Sequence, residues 1–230
     1  MSAISENLKE IRNKIDMAAR KSNRTLEDIT LIAVTKTYSP DAINEAIDNG
    51  VTDIGENKVQ EILEKYDLVK PVRWHLIGHL QTNKVKYIID KVHMIHSVDS
   101  IRLMDEIERQ AAKHNVIMNI LIQINISGEE SKFGISPDEL EDMLIYAGKL
   151  NNVKVCGLMT ILPKIDTDIS LRLQFVNIKD IFIDISNKKY DNVDMQYMSM
   201  GMSGDFEMAI EEGSNMVRIG RAIFGERIYN

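Results

Sequence analysis

The sequence predicts a closed, parallel (β/α)8 barrel of the TIM type with one extra helix at its N-terminus, a single domain over residues 1–230. Three observations predict it. From residue 30 onward, short apolar runs of strand length alternate with amphipathic stretches of helix length. Eight such runs can be counted, and eight strand–helix units in 230 residues sit at the small end of what a closed barrel needs. An open doubly wound sheet competes, but no G-x-G-x-x-G follows the first run, where a dinucleotide fingerprint would lie. Alternation of this kind implies parallel strands joined by right-handed crossovers.

The opening segment reads as a helix, because Ile4, Leu8, Ile11, Ile15 and Ala18 recur at spacings of three and four. Strands are predicted over 30–37, 52–57, 73–80, 94–98, 117–126, 153–161, 196–200 and 216–224. The segments between them carry helix punctuation. Ser39-Pro40 and Ser136-Pro137 each pair a capping residue with proline at the first helical position, and Glu139 completes a capping box with Ser136. Gly50 and Gly213 fall where helices should stop, since glycine adopts the left-handed conformation there at little cost. Leu140, Met143, Leu144 and Ala147 share one helix face suited to packing on a sheet. No linker, low-complexity segment or break in composition divides the sequence.

Composition narrows the function classes. Apolar residues make up 44% and charged residues 27%, as in an ordinary globular protein. With 28 basic against 35 acidic residues the formal charge is −7, which argues against nucleic acid, since a phosphate-backbone binder needs a basic face. A single cysteine, Cys156, rules out an intrachain disulfide and a Cys-rich metal site, so no metal is expected. No apolar stretch is long enough to span a membrane, and the first residues lack the order of a secretory signal. The expectation is a cytoplasmic protein, and a monomer.

A barrel builds its site at the C-terminal ends of its strands. Lys36 closes the first apolar run in LIAVTKTY. A lysine partly withdrawn from water keeps some neutral amine and can condense with an aldehyde; a solvated lysine leaving its strand is the bland alternative. In YMSMGMSGDFEMAI, Ser199, Gly201, Ser203 and Gly204 come just before a helix beginning near Asp205. Such a place suits an anion, although a plain turn capped by Ser203 would read the same, and Asp205 would oppose an anion. In MVRIGRAIFG, Arg218 lies inside an apolar strand and so needs a partner, either a protein carboxylate or a ligand acceptor. Gly220 and Arg221 then end strand eight, where barrels often place a phosphate. The lysine and this pair together are more specific than any member alone. His75 and His79, four apart on a strand, are too far apart to share a metal and would line the mouth or sit in the core. Asn57, at the end of strand two, is a site donor or a turn residue. Lys132, with Gly134 on the loop after strand five, reaches the mouth or is solvated. Met159 reads mainly as barrel filler.

AVTKT around Lys36, DIGENKVQE around Asn57, WHLIGHLQTNK around His75 and His79, SKFG, GLMTI, SMGMSGDFEMAI and VRIGRAIFG occur in this order over nearly the whole chain. In them the sequence resembles the YggS/PROSC family of pyridoxal 5′-phosphate homeostasis proteins. That resemblance implies a barrel like the N-terminal domain of alanine racemase, holding pyridoxal 5′-phosphate as a Schiff base on a lysine without established turnover. It assigns Lys36 as that lysine, and Ser203 with the backbone N–H groups of Gly220 and Arg221 to the phosphate. It sets Arg218 against the pyridine nitrogen, with Asn57 and Met159 near the ring. One departure stands out: the residue after Gly220 is often Ser or Thr in the family and is Arg221 here, so a backbone contact survives and a hydroxyl contact does not. The implied function is sequestering the cofactor and delivering it to dependent enzymes, the expected recipients. The alternative is a small amino-acid racemase using the same cofactor. Racemases of this barrel type carry a second domain; the sequence ends at Asn230, soon after the last predicted strand, so no such domain is expected.

Overall fold

The computed structural model describes residues 2–129, 132–163 and 167–225; Met1 and residues 226–230, the ends of the predicted domain, lie outside them. Helix α1 (Ala3–Lys21) leads, capped by Ser2, whose side chain accepts the Ser5 N–H. Its apolar positions Leu8, Ile11, Ile15 and Ala18 are buried against α2 (Pro40–Asp48), α7 (Phe206–Glu211) and α8 (Arg221–Phe224). This is the extra helix.

The strands β1 (Thr30–Val34), β2 (Asp53–Glu56), β3 (Arg73–Leu76), β4 (Met94–Val98), β5 (Met118–Ile124), β6 (Val153–Thr160), β7 (Val193–Met202) and β8 (Met216–Ile219) close into a barrel in sequence order. Every neighbouring pair is parallel, including β1 with β8, where Ile32 lies opposite Arg218. Between the strands run α2, α3 (Val59–Lys65), α4 (Ile101–His114), α5 (Leu140–Ala147), α6 (Asp168–Ser186) and α7, with α8 after β8. The alternation fails once: β3 and β4 are joined by a 3-10 segment, Thr82–Tyr87, in place of an α-helix. Ser39, Ser100 and Thr167 cap α2, α4 and α6 through their hydroxyls, and the Ser136–Glu139 capping box forms as expected. Gly50 and Gly213 carry positive φ at helix ends.

Several strand ends differ from the periodicity. β1 stops at Val34, because Thr35 to Thr37 turn away and Thr37 takes φ +70°. β3 stops at Leu76, ahead of a close backbone approach at Gly78. β7 is longer than expected. β8 is shorter: beyond Gly220 the apolar residues Ala222 to Phe224 are helical, and an apolar run cannot by itself distinguish a buried strand from a buried helical turn.

Apolar side chains divide into two bodies. The larger lies between strands and helices; the smaller fills the barrel with Ile32, Met94, Leu121, Cys156, Met159 and Met216. The rest of the interior is polar, with Asp53, His75, His96, Ser199 and Arg218 all buried.

Candidate functional site

At the C-terminal ends of the strands lies a cleft of about 830 Å³. Lys36, Asn57, Ser203, Arg218, Gly220 and Arg221 all line it, together with Asp205 and an apolar wall that includes Val34, Ile77, Leu162 and Met202. The barrel therefore gathers six of the seven predicted site residues. Met159 is the exception. It is fully buried in the interior body and is absent from the cleft lining, one residue before Thr160, which meets Arg218.

Lys36 is half-buried and is presented by a short loop that is pinned on both sides. Thr35 donates its N–H to the Gly55 carbonyl (3.0 Å) and its hydroxyl to Glu56 Oε1 (2.8 Å). Thr37, held in the left-handed region, donates its N–H to Glu61 Oε2 (2.7 Å). Lys65 ties the two sides together, reaching the Thr35 carbonyl at 3.0 Å and Glu56 and Glu61 at 2.8 Å each. Glu56 is wholly buried; its burial pushes the carboxyl up even with Lys65 beside it. Just beyond, the Tyr38 hydroxyl donates to the Gly225 carbonyl (2.7 Å) and its ring stacks on Phe224, joining the Lys36 loop to the end of α8.

Arg218 points into the barrel from β8 and is 4% exposed. Its partners are neither of the two kinds the sequence suggested. One Nη donates to the Ser199 carbonyl (2.8 Å) and hydroxyl (2.6 Å), the other to the Thr160 carbonyl (2.7 Å). Burial lowers its pKa to about 10, still cationic at neutral pH. The Asp205 carboxylate acts on it as an opposite charge. That carboxylate is turned back into the β7–α7 turn, where Oδ1 accepts the Met202 N–H (2.6 Å), and burial raises it.

Gly220 sits where β8 gives way to α8, and a Cβ there would come within 3.2 Å of the Val34 carbonyl oxygen. Gly204 faces open space. In α8 the Ile223 and Phe224 N–H groups donate to the Gly220 carbonyl, while the Gly220 and Arg221 N–H groups precede the helix's first bond and have no acceptor within it. Asn57 is fixed from below by Gly78, whose absent side chain lets the two backbones meet; a Cβ would lie 2.4 Å from the Asn57 carbonyl oxygen.

The remaining candidates separate. His75 is buried inside the barrel, whereas His79 lies beyond the end of β3, stacked on Phe133 with centroids 3.9 Å apart. Gly134, at φ +118°, lets its loop fold back so that Ile135 pairs with the end of β5. Lys132 lies 3.5 Å from Glu129 and does not line the cleft. Sequence reasoning missed Glu56, Glu61 and Lys65, although a carboxylate inside an apolar strand run and a Glu-Lys pair four apart were visible signals. It also missed Asp53 and His96, which nothing local distinguishes, and it grouped Ser199 with the candidate anion site before α7, whereas the structure turns Ser199 into the barrel between Arg218 and His96.

The barrel is that of the alanine racemase N-terminal domain: the family so described matches residues 2–228. Within it, the chain belongs to the pyridoxal phosphate homeostasis proteins. It is 42% identical to the pyridoxal phosphate homeostasis protein of Aquifex aeolicus over 226 residues, 97% of this chain and 98% of that one. The protein of the same name from Escherichia coli (strain K12) is 38% identical over 235 residues, covering 100% of this chain and 99% of its own. PipY of Synechococcus elongatus, in a structure with PLP bound, superposes with a TM-score of 0.84 at 29% identity, covering 96% of this chain and 100% of PipY.

Proposed function

We propose that this protein binds pyridoxal 5′-phosphate at the barrel mouth and serves as a non-catalytic holder of the cofactor in vitamin B6 homeostasis. One observation carries the reading: Lys36, Ser203, Arg218, Gly220 and Arg221 share one cleft whose donors suit a phosphorylated aldehyde. Bound there, the cofactor supplies a reactive aldehyde and an electron-withdrawing ring. Lys36 supplies the amine for the aldehyde, from a loop that the Lys65 cluster holds in one conformation. Ser203 and the N–H groups of Gly220 and Arg221 hold the phosphate, and the open backbone at Gly204 lets an anion approach closely. Asp205 turns its Oδ1 back into its own turn, where it accepts the Met202 N–H. Arg218 faces the pyridine nitrogen, where its fixed positive charge disfavours a proton and weakens the ring as an electron sink. Asn57 orients the ring, and Met159 supports the site from beneath, one layer down.

The weakened sink and the names of the relatives favour a holder over an enzyme. Delivery to pyridoxal-phosphate-dependent enzymes completes the reading. We place the protein in the cytoplasm, on its single cysteine, whose buried thiol is pushed up to about 11 and unreactive. We also read the protein as a monomer.

The experiment is reduction with borohydride after incubation with pyridoxal 5′-phosphate, then peptide mass mapping. A pyridoxyl mass on Lys36, absent in Lys36→Ala, is the expected result. Protein that stays unlabelled overturns the reading. Exchange of an amino acid's α-hydrogen with deuterated buffer, lost in Lys36→Ala, would overturn its non-catalytic part.

A further inference from the structure

Behind Arg218 the polar half of the barrel interior forms a continuous hydrogen-bond relay. Ser199 Oγ, which accepts from Arg218 Nη at 2.6 Å, lies 3.2 Å from His96 Nδ1. His96 Nε2 lies 3.0 Å from His75 Nδ1, and His75 Nε2 lies 2.9 Å from Asp53 Oδ1. Asp53 in turn accepts from Thr52 (2.7 Å) and from Arg73 through Nε (2.7 Å) and Nη (2.6 Å). Asp53 and Arg73 are the first residues of β2 and β3, so the relay starts at the barrel floor, where the Arg73 side chain is 55% exposed. It crosses the lumen from β4 to β7 and ends under the mouth.

We propose that Ser199, His96, His75 and Asp53 are positioning residues for Arg218, acting as one oriented relay that sets the guanidinium and ties the mouth to the opposite face of the barrel.

Both ends are consistent with one direction, which the Asp53 end sets. A guanidinium only donates, so Ser199 accepts from Arg218 and keeps its single proton available for His96 Nδ1. An ionised carboxylate only accepts, so His75 donates from Nε2, which leaves His75 Nδ1 to accept from His96 Nε2. Three internal protons then serve three internal links, and both imidazoles are neutral with the proton on Nε2. The charges around them agree. Burial opposes ionisation of Asp53, but His75, Arg73 and Thr52 outweigh it and hold the carboxyl well below its ordinary range. Burial drives His96 well below the usual histidine value, with the Arg218 charge adding to the effect against Asp53. His93, at the edge of the His75 ring, is lowered by burial too, and Asp205 acts on Arg218 from the α7 side.

Direction makes the relay a coupling device. A proton added at His75 obliges Nδ1 to donate to His96, so His96 must donate to Ser199 instead. The Ser199 hydroxyl then turns its proton elsewhere beside Arg218. An event at the floor thus reaches the mouth without any backbone movement. The effect on the cofactor rests on the binding reading above; the proton pattern does not.

Nitrogen NMR of the 15N-histidine-labelled protein at pH 7.5 tests the pattern directly. Expected are two neutral rings, His75 and His96, each protonated on Nε2. Asp53→Asn should shift the His96 signals, two links away, and Ser199→Ala should lower affinity for pyridoxal 5′-phosphate about tenfold while the fold, read by circular dichroism, is kept. A cationic ring or an Nδ1 proton at His96 in the unmodified protein overturns the proposal, and needs no variant to fold. So does a folded Asp53→Asn protein with unchanged His96 signals, or a folded Ser199→Ala protein with unchanged affinity. If the expected tautomers appear in a protein that takes up no cofactor, the binding reading fails and the relay stands as the holder of Arg218.

Discussion

Gly78 shows how one missing side chain shapes the mouth. Its backbone packs so tightly under Asn57 that a Cβ would sit 2.4 Å from a carbonyl oxygen, and backbone cannot swing aside as a side chain can. Gly78→Ala should therefore cost about 1–3 kcal/mol, the usual range for overpacking a filled site. It should also weaken binding of pyridoxal 5′-phosphate, because Asn57 must move out of the cleft to relieve the clash. Urea unfolding and a cofactor titration on the same protein measure both effects. A loss of stability with unchanged affinity would remove Asn57 from the site. Gly78 is legible in the sequence only as a glycine inside the strand predicted over 73–80; its necessity comes from Asn57, just past the end of β2.

At the scale of elements, β2 and α3 cooperate to present Lys36. Glu56 is the last residue of β2 and faces outward, while Glu61 and Lys65 lie one turn apart on α3, so Lys65 reaches both carboxylates and the Thr35 carbonyl at once. Lys65 is 8% exposed and Glu56 wholly buried, so this is not a screened surface pair. Lys65→Met should cost about 3–5 kcal/mol, because it leaves a buried carboxylate without its partner. Adding Glu56→Gln to the same protein should recover part of that loss, since the stranded charge is gone. Urea unfolding of the single and double variants at pH 7 decides this, and equal losses would show that Glu56 carries no charge worth pairing. Hydrogen exchange at the Thr37 N–H, now held by Glu61, should speed up in Lys65→Met.

For the molecule as a whole, the wholly buried His96, with the more exposed His93 beside His75, predicts acid sensitivity well above the carboxylate range. His96 and His93 have folded pKa values below their unfolded ones. The unfolded chain consequently takes up protons first as pH falls through about 6.5, the ordinary histidine value. Stability is then fully present above that pH and is lost below it, until the folded protein itself takes up the proton. The slope is about 1.4 kcal/mol per pH unit for His96 and smaller for His93, whose exposure to solvent screens its shift. Urea unfolding between pH 7.5 and 5 should show this decline, and His96→Gln should flatten it. An unchanged slope in that variant would mean that His96 is protonated in the fold.

Much of this protein can be read without its coordinates. The alternation of apolar runs with amphipathic segments sets the barrel, because strand and helix periods differ and runs of strand length recur between segments of helix length. Serine-proline pairs and terminal glycines mark helix ends through local backbone chemistry. Lys36, Arg218, Gly220 and Arg221 stand out because each breaks an apolar run at a strand end. What only the tertiary structure decided are contacts between residues far apart in sequence. Nothing local reveals that Ser199 on β7 meets His96 on β4, or that Arg218 leans on two backbone carbonyls in place of a carboxylate. Nor does an apolar run at 216–224 show where strand gives way to helix. Those outcomes depend on closing the barrel, which brings β4 across to β7 and β8 beside β1, and no periodicity along the chain encodes that distance.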